Sequence, residues 1–487
     1  MLPLRAPALA AMAALTLALA LALAPASRPA LAQDAPPPAH RCRFVMVPMR
    51  DGVRLNTSVC EPAAPRGALP FLLTRTPYGI AGDTTVRNDY RFLAADGYIF
   101  VSQDIRGRYG SEGEFRMTRP LHDPASEPRG VDESTDAYDT VEWLLRNVPN
   151  NSGRVGVLGV SYPGFLATMA GLNPHPAVRA VSPQAPMTDV WMGDDFFHQG
   201  AFRLSYGFEY AGDMELSRDG SAPLPIGAWD TYDWYLRLGA LGGVDSAYFR
   251  GRVPTWRAFV EHPAYDAYWR ARAVQRRLTA PAVPTLTVGG WWDQEDRFGP
   301  LATYAALERG DSAARRSALV MGPWNHGGWR RPDRRMPVVD PGTSEEYLRD
   351  VEAPWFAHWL KDRPGQGAAR EAYLYDAGAK RWRSFDAWPP ARGGGGGGGA
   401  RRSLYLRAGG RLSFDPPAAG DSAFDQYVSD PAHPVPYRAR PIERTYDSRG
   451  SRWRTWETED QRFVHGRPDV LSWVSEPLAS DLFVAGD

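Results

Sequence analysis

Residues 155–170 run Val155-Gly156-Val157-Leu158-Gly159-Val160-Ser161-Tyr162-Pro163-Gly164-Phe165-Leu166-Ala167-Thr168-Met169-Ala170. The first four form a short apolar run of the kind that makes a buried strand, and the last six read as helix. Between them a serine sits among small residues at a strand-to-helix turn. That arrangement is a nucleophile elbow: the sharp bend lifts the hydroxyl clear of a sheet, and the glycines let strand and helix approach closely. The helix N-terminus and the Tyr162 N–H can stabilise an oxyanion. The spacing departs from G-x-S-x-G, because Pro163 takes the place of the second glycine and Gly164 follows it. An ordinary serine in a turn is the competing interpretation; the strand–turn–helix context favours a nucleophile.

A serine nucleophile needs a general base, and the base needs an orienting acid. In an α/β-hydrolase the chain order is serine, acid, histidine, each following a sheet strand. The apolar run Thr285–Val288 is followed by Gly289-Gly290-Trp291-Trp292-Asp293. Ala318–Met321 is followed by Gly322-Pro323-Trp324-Asn325-His326. Of the 9 histidines, others such as His175 and His262 do not follow a strand in this way. Asp293 also suits a helix N-cap, and His326 suits a turn residue bonded to backbone. Their joint order favours a catalytic triad of Ser161, Asp293 and His326.

Further runs at Phe71–Thr74, Tyr98–Ser102 and Val178–Ser182 read as buried strands, with helical stretches between. Asp136–Asn147 is one such helix, with Ser134 or Thr135 as its candidate N-cap. Strands alternating with helices predict a parallel sheet covered on both faces. The expected architecture is an α/β-hydrolase core in two parts, 43–186 and 275–364. Between them, residues 187–274 contain no buried-strand run and are dense in aromatics, including Trp229, Tyr232, Trp234, Tyr235, Trp256 and Trp269. They predict an inserted helical cap that shapes a pocket; a packed appendage without a ligand role is the alternative. From 365 to 487 short runs such as Ala372–Tyr375 and Ser403–Leu406, separated by Gly-rich turns, predict an all-β domain, expected to be incomplete and to end in a strand at Asp481–Val484. The glycine run Gly393–Gly399 reads as a flexible loop.

Arg5 precedes an apolar run from Ala6 to Ala24, broken by Pro25 and followed by Ala30-Leu31-Ala32. This predicts a secretory signal peptide over 1–32, cleaved near Ala32, and export to the periplasm or the medium. An uncleaved anchor helix is the weaker alternative. No other segment is long and apolar enough to span a bilayer. Residues 33–42 form an N-terminal arm. Lys+Arg and Asp+Glu each number 56, a net charge of +0 that argues against a nucleic-acid partner. The 2 cysteines, Cys42 and Cys60, flank a predicted hairpin around Asp51-Gly52, nearly opposite but off by one position. In an oxidising compartment a disulfide and two unpaired thiols both remain open.

Gly159-x-Ser161-Tyr162-x-Gly164, preceded by Arg75-Thr76-Pro77-Tyr78 and Asp104-Ile105-Arg106-Gly107, resembles the cocaine esterase and X-Pro dipeptidyl-peptidase group of serine hydrolases. The resemblance covers essentially all of the chain beyond the leader. It implies a helical cap, a C-terminal jelly roll, and a tyrosine side chain, matched by Tyr78, that completes the oxyanion hole with the Tyr162 amide. An aromatic packed at a strand end is the plainer role for Tyr78.

Within the group the chain is most similar to the α-amino acid ester hydrolases, which cleave esters and β-lactam amides whose acyl part carries a free α-amino group. Their three-carboxylate cluster for the ammonium is matched by Asp195, within Trp191-Met192-Gly193-Asp194-Asp195-Phe196, and by Glu295 and Asp296 after Asp293. Without the resemblance, Glu295 and Asp296 read as first-turn helix acids and Asp195 as an exposed acid beside Asp194. The resemblance implies a homotetramer, no metal or organic cofactor, and small-molecule α-amino acid esters or β-lactams as partners. An X-Pro dipeptidyl peptidase, an acylase or a general esterase with the same triad is the alternative activity; a non-catalytic secreted binding protein is the more distant one.

Overall fold

The computed structural model describes residues 39–123, 125–311, 315–332, 336, 340–364, 370–390, 402–420, 424–447 and 450–486. The expected signal peptide, most of the N-terminal arm and the glycine run Gly393–Gly399 lie outside them. The strands in chain order are β1 (His40–Pro48), β2 (Arg54–Pro62), β3 (Leu69–Thr76), β4 (Ile99–Asp104), β5 (Asn151–Val160), β6 (Val178–Gln184), β7 (Phe197–His198), β8 (Ala201–Phe202), β9 (Thr285–Gly290), β10 (Ser317–Gly322), β11 (Ala372–Asp376), β12 (Arg381–Phe385), β13 (Tyr405–Arg407), β14 (Arg411–Ser413) and β15 (Val474–Ser475). Ten of them make one sheet in the order β1-β2-β4-β3-β5-β6-β9-β10-β11-β12.

From β4 through β3, β5, β6, β9 and β10 to β11 every neighbouring pair is parallel. The carboxyl ends of these strands therefore share one edge, where ligands bind in such sheets. The six core runs expected from sequence are all strands of this sheet. They read as continuous apolar stretches because both faces are covered. The helices Glu133–Asn147 and Tyr162–Leu172 pack with Phe71, Val101, Val157 and Val181 into one core, whereas Ala353–Lys361 packs with Leu72, Leu158, Val288 and Val320 into another.

Several expectations need correction. The run Ala372–Tyr375 does not open the C-terminal β domain: β11 pairs parallel with β10, and β12 pairs antiparallel with β11, so both extend the central sheet. Alternation of Tyr and Leu in so short a run cannot say which sheet a strand joins. The small β sheet near the C-terminus is β13-β14-β15, and 481–484 is not a strand. The helix Glu133–Asn147 is capped by Asp132, whose carboxylate accepts from Ser134 N and Thr135 N while Thr135 Oγ1 bonds back to Asp132 N. The cap expected at Ser134 or Thr135 is thus shifted by two or three residues, because Asp132 is the better acceptor. In the β1–β2 hairpin Cys42 lies directly opposite Cys60, not one position off, and the two are disulfide-bonded.

Most aromatics of the inserted segment build its own core: Phe208, Phe249, Trp256, Phe259 and Trp269 are buried together. The helix Leu204–Glu215 adds side chains to both that core and the site below. Among the described residues no helix is long and apolar enough to cross a membrane.

Candidate active site

Ser161 stands between β5 and the helix Tyr162–Leu172 with φ 69° and ψ −127°. A non-glycine residue held there stores strain, and its surroundings must fix it. They do: Ser161 N donates to Gln184 O on β6 at 2.9 Å. The flanking glycines leave no room for a side chain. A Cβ on Gly159 would lie 2.4 Å from Pro163 O, and one on Gly164 2.3 Å from Gln184 O. Gly164, one position later than the usual motif, therefore does the work expected of its second glycine. Tyr162 opens the helix, so its N–H has no intrahelical acceptor. Its side chain is buried, with the hydroxyl accepting from Thr118 N at 2.9 Å.

The loops after β9 and β10 bring Asp293 and His326 together. His326 Nδ1 is 3.0 Å from both carboxylate oxygens of Asp293. Asp293 Oδ1 also accepts from Glu295 N and Asp296 N, each at 2.9 Å. Asp293 thus fixes its own turn and holds the imidazole at once; it is not the helix N-cap weighed from sequence, because the next helix starts at Phe298 with Arg297 at its N-cap. Burial opposes the Asp293 charge, but His326 and the two amides outweigh it and hold the carboxyl below its ordinary range. Burial likewise opposes charge on His326, yet Asp293, Glu295 and Asp195 push the imidazole up to about 9.

Asp195, Glu295 and Asp296 meet behind the triad. Asp195 N donates to Glu295 O at 3.2 Å. The Tyr206 hydroxyl lies 2.9 Å from Asp195 Oδ1 and 3.2 Å from Glu295 Oε2. Glu295 Oε2 is 3.4 Å from His326 Nε2. Asp195 Oδ2 and both oxygens of Asp296 are buried with no hydrogen-bond partner. Burial and mutual repulsion push Asp195 up to about 7, and raise Asp296 well above a normal carboxylate. Asp194 plays a different part. Its oxygens accept from Thr188 N, Asp189 N and Gly299 N, which fastens the cap entrance to the core.

A cavity of about 720 Å³ runs over this edge of the sheet, and Ser161, Tyr78, His326 and Glu295 all line it. Asp195 and Asp296 are not part of its wall and are buried, Asp296 Oδ2 lying 4.0 Å from His326 Nδ1. Tyr78 is 42% exposed along its flank. Its hydroxyl bonds the Tyr210 hydroxyl at 2.8 Å and reaches Ser161. Burial of that end raises the phenol, so it stays a neutral donor. Among the described residues no group of three or more His, Cys, Asp or Glu side chains is arranged to hold a metal ion.

Several site residues carry no sequence signal. Tyr206 and Tyr210 come from the cap, and Tyr210 lines the cavity, so part of the inserted segment faces it. Arg203 donates to the carbonyls of Asp195 and Gln294, at 3.2 and 2.9 Å, and ties cap to acid loop. Trp453 Nε1 donates to Glu295 Oε1 at 2.9 Å, and the Tyr446 hydroxyl lies 3.5 Å from Glu295 Oε2. With 17 Trp and 21 Tyr in the chain, nothing in the sequence marks these few.

Comparison with known proteins adds independent findings. A family model described as X-Pro dipeptidyl-peptidase (S15 family) matches residues 51–328. Cocaine esterase from Rhodococcus sp. (strain MB1 Bresler) is 30% identical over 461 residues, covering 91% of this chain and 75% of that protein. A putative serine esterase of Mycobacterium bovis is 28% identical, covering 79% of this chain and 65% of its own length. Among solved structures, an α-amino acid ester hydrolase superposes with a TM-score of 0.83 at 39% identity, covering 95% of this chain and 77% of that one. An aminopeptidase from a marine sediment Thaumarchaeota archaeon gives a TM-score of 0.82 at 39% identity, covering 93% and 75%.

Proposed function

From the premise that this chain belongs to the X-Pro dipeptidyl-peptidase (S15) family and is a serine hydrolase of the cocaine esterase group, we propose that it cleaves esters and amides whose acyl group carries a free α-amino group. The observation that carries this reading is the Asp195–Glu295–Asp296 cluster. Buried carboxylates with unpaired oxygens are costly, and Glu295 presents this negative charge to the cavity that holds Ser161. A small ammonium against Glu295 supplies three donors and one positive charge, which offsets the repulsion among the three carboxylates. The similarity to an α-amino acid ester hydrolase and to an aminopeptidase supports the same reading.

The chemistry is two-step acyl transfer. His326 Nε2 takes the Ser161 hydroxyl proton as Oγ attacks the carbonyl carbon. The Tyr78 hydroxyl and the Tyr162 N–H receive the oxyanion. His326 returns its proton to the leaving oxygen or nitrogen, which departs as an alcohol or amine and leaves an acyl-Ser161 ester. Water, deprotonated by His326, then hydrolyses that ester. A β-lactam nucleus bearing an amine can take the place of water and give a β-lactam product. Asp293 holds the imidazole tautomer throughout.

The test compares phenylglycine methyl ester with phenylacetic methyl ester, which differ only in the α-amino group. A preference of about 100-fold or more in kcat/KM for phenylglycine is expected, in line with the energy of a desolvated charge pair. Equal rates would leave a general esterase and remove the ammonium site. Ser161→Ala should give no acyl-enzyme; a retained product burst would contradict the nucleophile.

A further inference from the structure

The cavity over Ser161 is charged at two places. One wall carries Glu295, backed by Asp195 and Asp296. Six arginines also line the cavity. Most cavity arginines are already committed. Arg87 pairs with Asp89 through two bonds of 2.9 and 2.8 Å, Arg330 pairs with Glu352, and Arg444 faces Glu209 at 3.7 Å. Arg108 is held by the carbonyls of Pro77 and Ser217. Arg331 and Arg454 differ: among the described residues neither guanidinium has a carboxylate partner. Their main chains are fixed beside the general base. Arg331 N donates to Gly327 O at 3.2 Å, and Asn325 Nδ2 donates to Arg454 O at 3.0 Å. The two cations sit close enough that, after burial, the charges of Arg87 and Arg454 are what disfavour charge on Arg331. The Asp89 carboxylate also acts on Arg331 but is already bonded to Arg87, so positive charge is in excess there and favours an anionic ligand.

We infer that Arg331 and Arg454 form a subsite for a carboxylate on the leaving group, so that the preferred substrate carries an ammonium on its acyl part and a carboxylate on the part released. The inference rests on the proposed acyl-ammonium reading for the direction in which substrate lies. With the amine against Glu295, the leaving group must stay within reach of His326 Nε2, which protonates it, and the His326 loop is where both arginines are anchored. A guanidinium fork matches a carboxylate in shape as well as charge. This chemistry is shared by the C-terminal residue of a short peptide and by a β-lactam nucleus.

The test uses aryl esters of phenylglycine, whose activated leaving groups suit any serine hydrolase. The 4-carboxyphenyl ester is compared with the 4-carbamoylphenyl ester, at low and high salt. Wild-type enzyme should show a KM about 10-fold lower for the carboxylate, with the ratio shrinking as salt rises. In Arg331→Gln/Arg454→Gln the ratio should fall to about one; in Arg331→Lys/Arg454→Lys part of it should return. Each ratio is internal to one protein sample, so a poorly folding variant does not distort it. Equal KM values in wild type, or a ratio unchanged in the glutamine variant, would overturn the subsite. The same pair made with phenylacetyl separates the two claims: if the ammonium site fails, the arginine-dependent ratio still persists there. Phenylglycyl-alanine against its amide, and ampicillin against its methyl ester, tell a peptide source from a β-lactam one by which pair shows the arginine-dependent ratio.

Discussion

Glu295 Oε2 stands 3.4 Å from His326 Nε2, on the side of the imidazole away from Asp293. The nitrogen that must accept the Ser161 proton therefore faces a carboxylate that favours keeping a proton there. With no cation bound, His326 is held up to about 9, burial being outweighed by Asp293, Glu295 and Asp195. A general base works only when deprotonated, so the rate is expected to fall as pH drops through this value. An ammonium against Glu295 cancels part of its field and moves the limb down. For phenylacetic methyl ester the acid limb of kcat should lie near 9; for phenylglycine methyl ester it should lie at least one unit lower. Coincident limbs in the two kcat–pH profiles would contradict the coupling. Glu295→Gln should lower the phenylacetyl limb as well.

The carboxylate cluster should cost stability at alkaline pH. Asp195 is pushed up to about 7 and Asp194 up to about 8, burial being the first cause of each. A carboxyl raised in the folded state contributes stability that is present below its unfolded value near 3.8 and lost as pH rises through the folded value. Asp195→Asn removes one such group while Tyr206 keeps an acceptor. The variant should melt a few °C above wild type at pH 8, with the advantage shrinking toward pH 5. Thermal melts at both values check this; an equal loss of Tm at both would show that the Asp195 charge is not the source of the cost.

Tyr78 is placed to donate to charge that develops only during attack. Tyr78→Phe keeps the ring and its packing but removes the hydroxyl that reaches Ser161. A fall in kcat of about 100-fold, with KM changed less than threefold, is expected for loss of one oxyanion donor. A rise in KM at unchanged kcat would make Tyr78 a substrate-packing residue.

Gly164 tests the displaced elbow motif. A methyl there meets Gln184 O at 2.3 Å, and that oxygen belongs to the carbonyl that holds Ser161 N. Gly164→Ala must move either β6 or the elbow, and labelling by a fluorophosphonate should drop by more than 10-fold. Full labelling with normal stability would mean that the turn tolerates a side chain.

Ser161, Asp293 and His326 were legible because each follows an apolar strand in a fixed order, and strand order along a parallel sheet places all three loops on one edge. Glu295 and Asp296 were legible only through resemblance, since two acids after an Asp suit any helix start; here they lie in a turn that Asp293 closes, ahead of the helix that begins at Phe298. Trp453 and Tyr446 were not legible at all. They reach Glu295 from more than 150 positions away in sequence, at 158 and 151 residues, through packing of a largely irregular segment with no periodicity to follow. The run Ala372–Tyr375 reads as a strand from sequence, but the sheet it joins is not legible there, because a short run reports local conformation and not the identity of the neighbour.

Selection of an α-ammonium by the buried carboxylates has a direct consequence for substrate preference. It is tested most directly by a cycle in which phenylglycine and phenylacetic methyl esters are each assayed with wild-type enzyme and with Glu295→Gln/Asp296→Asn. The preference for phenylglycine in kcat/KM, about 100-fold or more in wild type, should fall below 10-fold in the variant. If the preference survives removal of both charges, the carboxylates do not read the amine and the ammonium site is wrong.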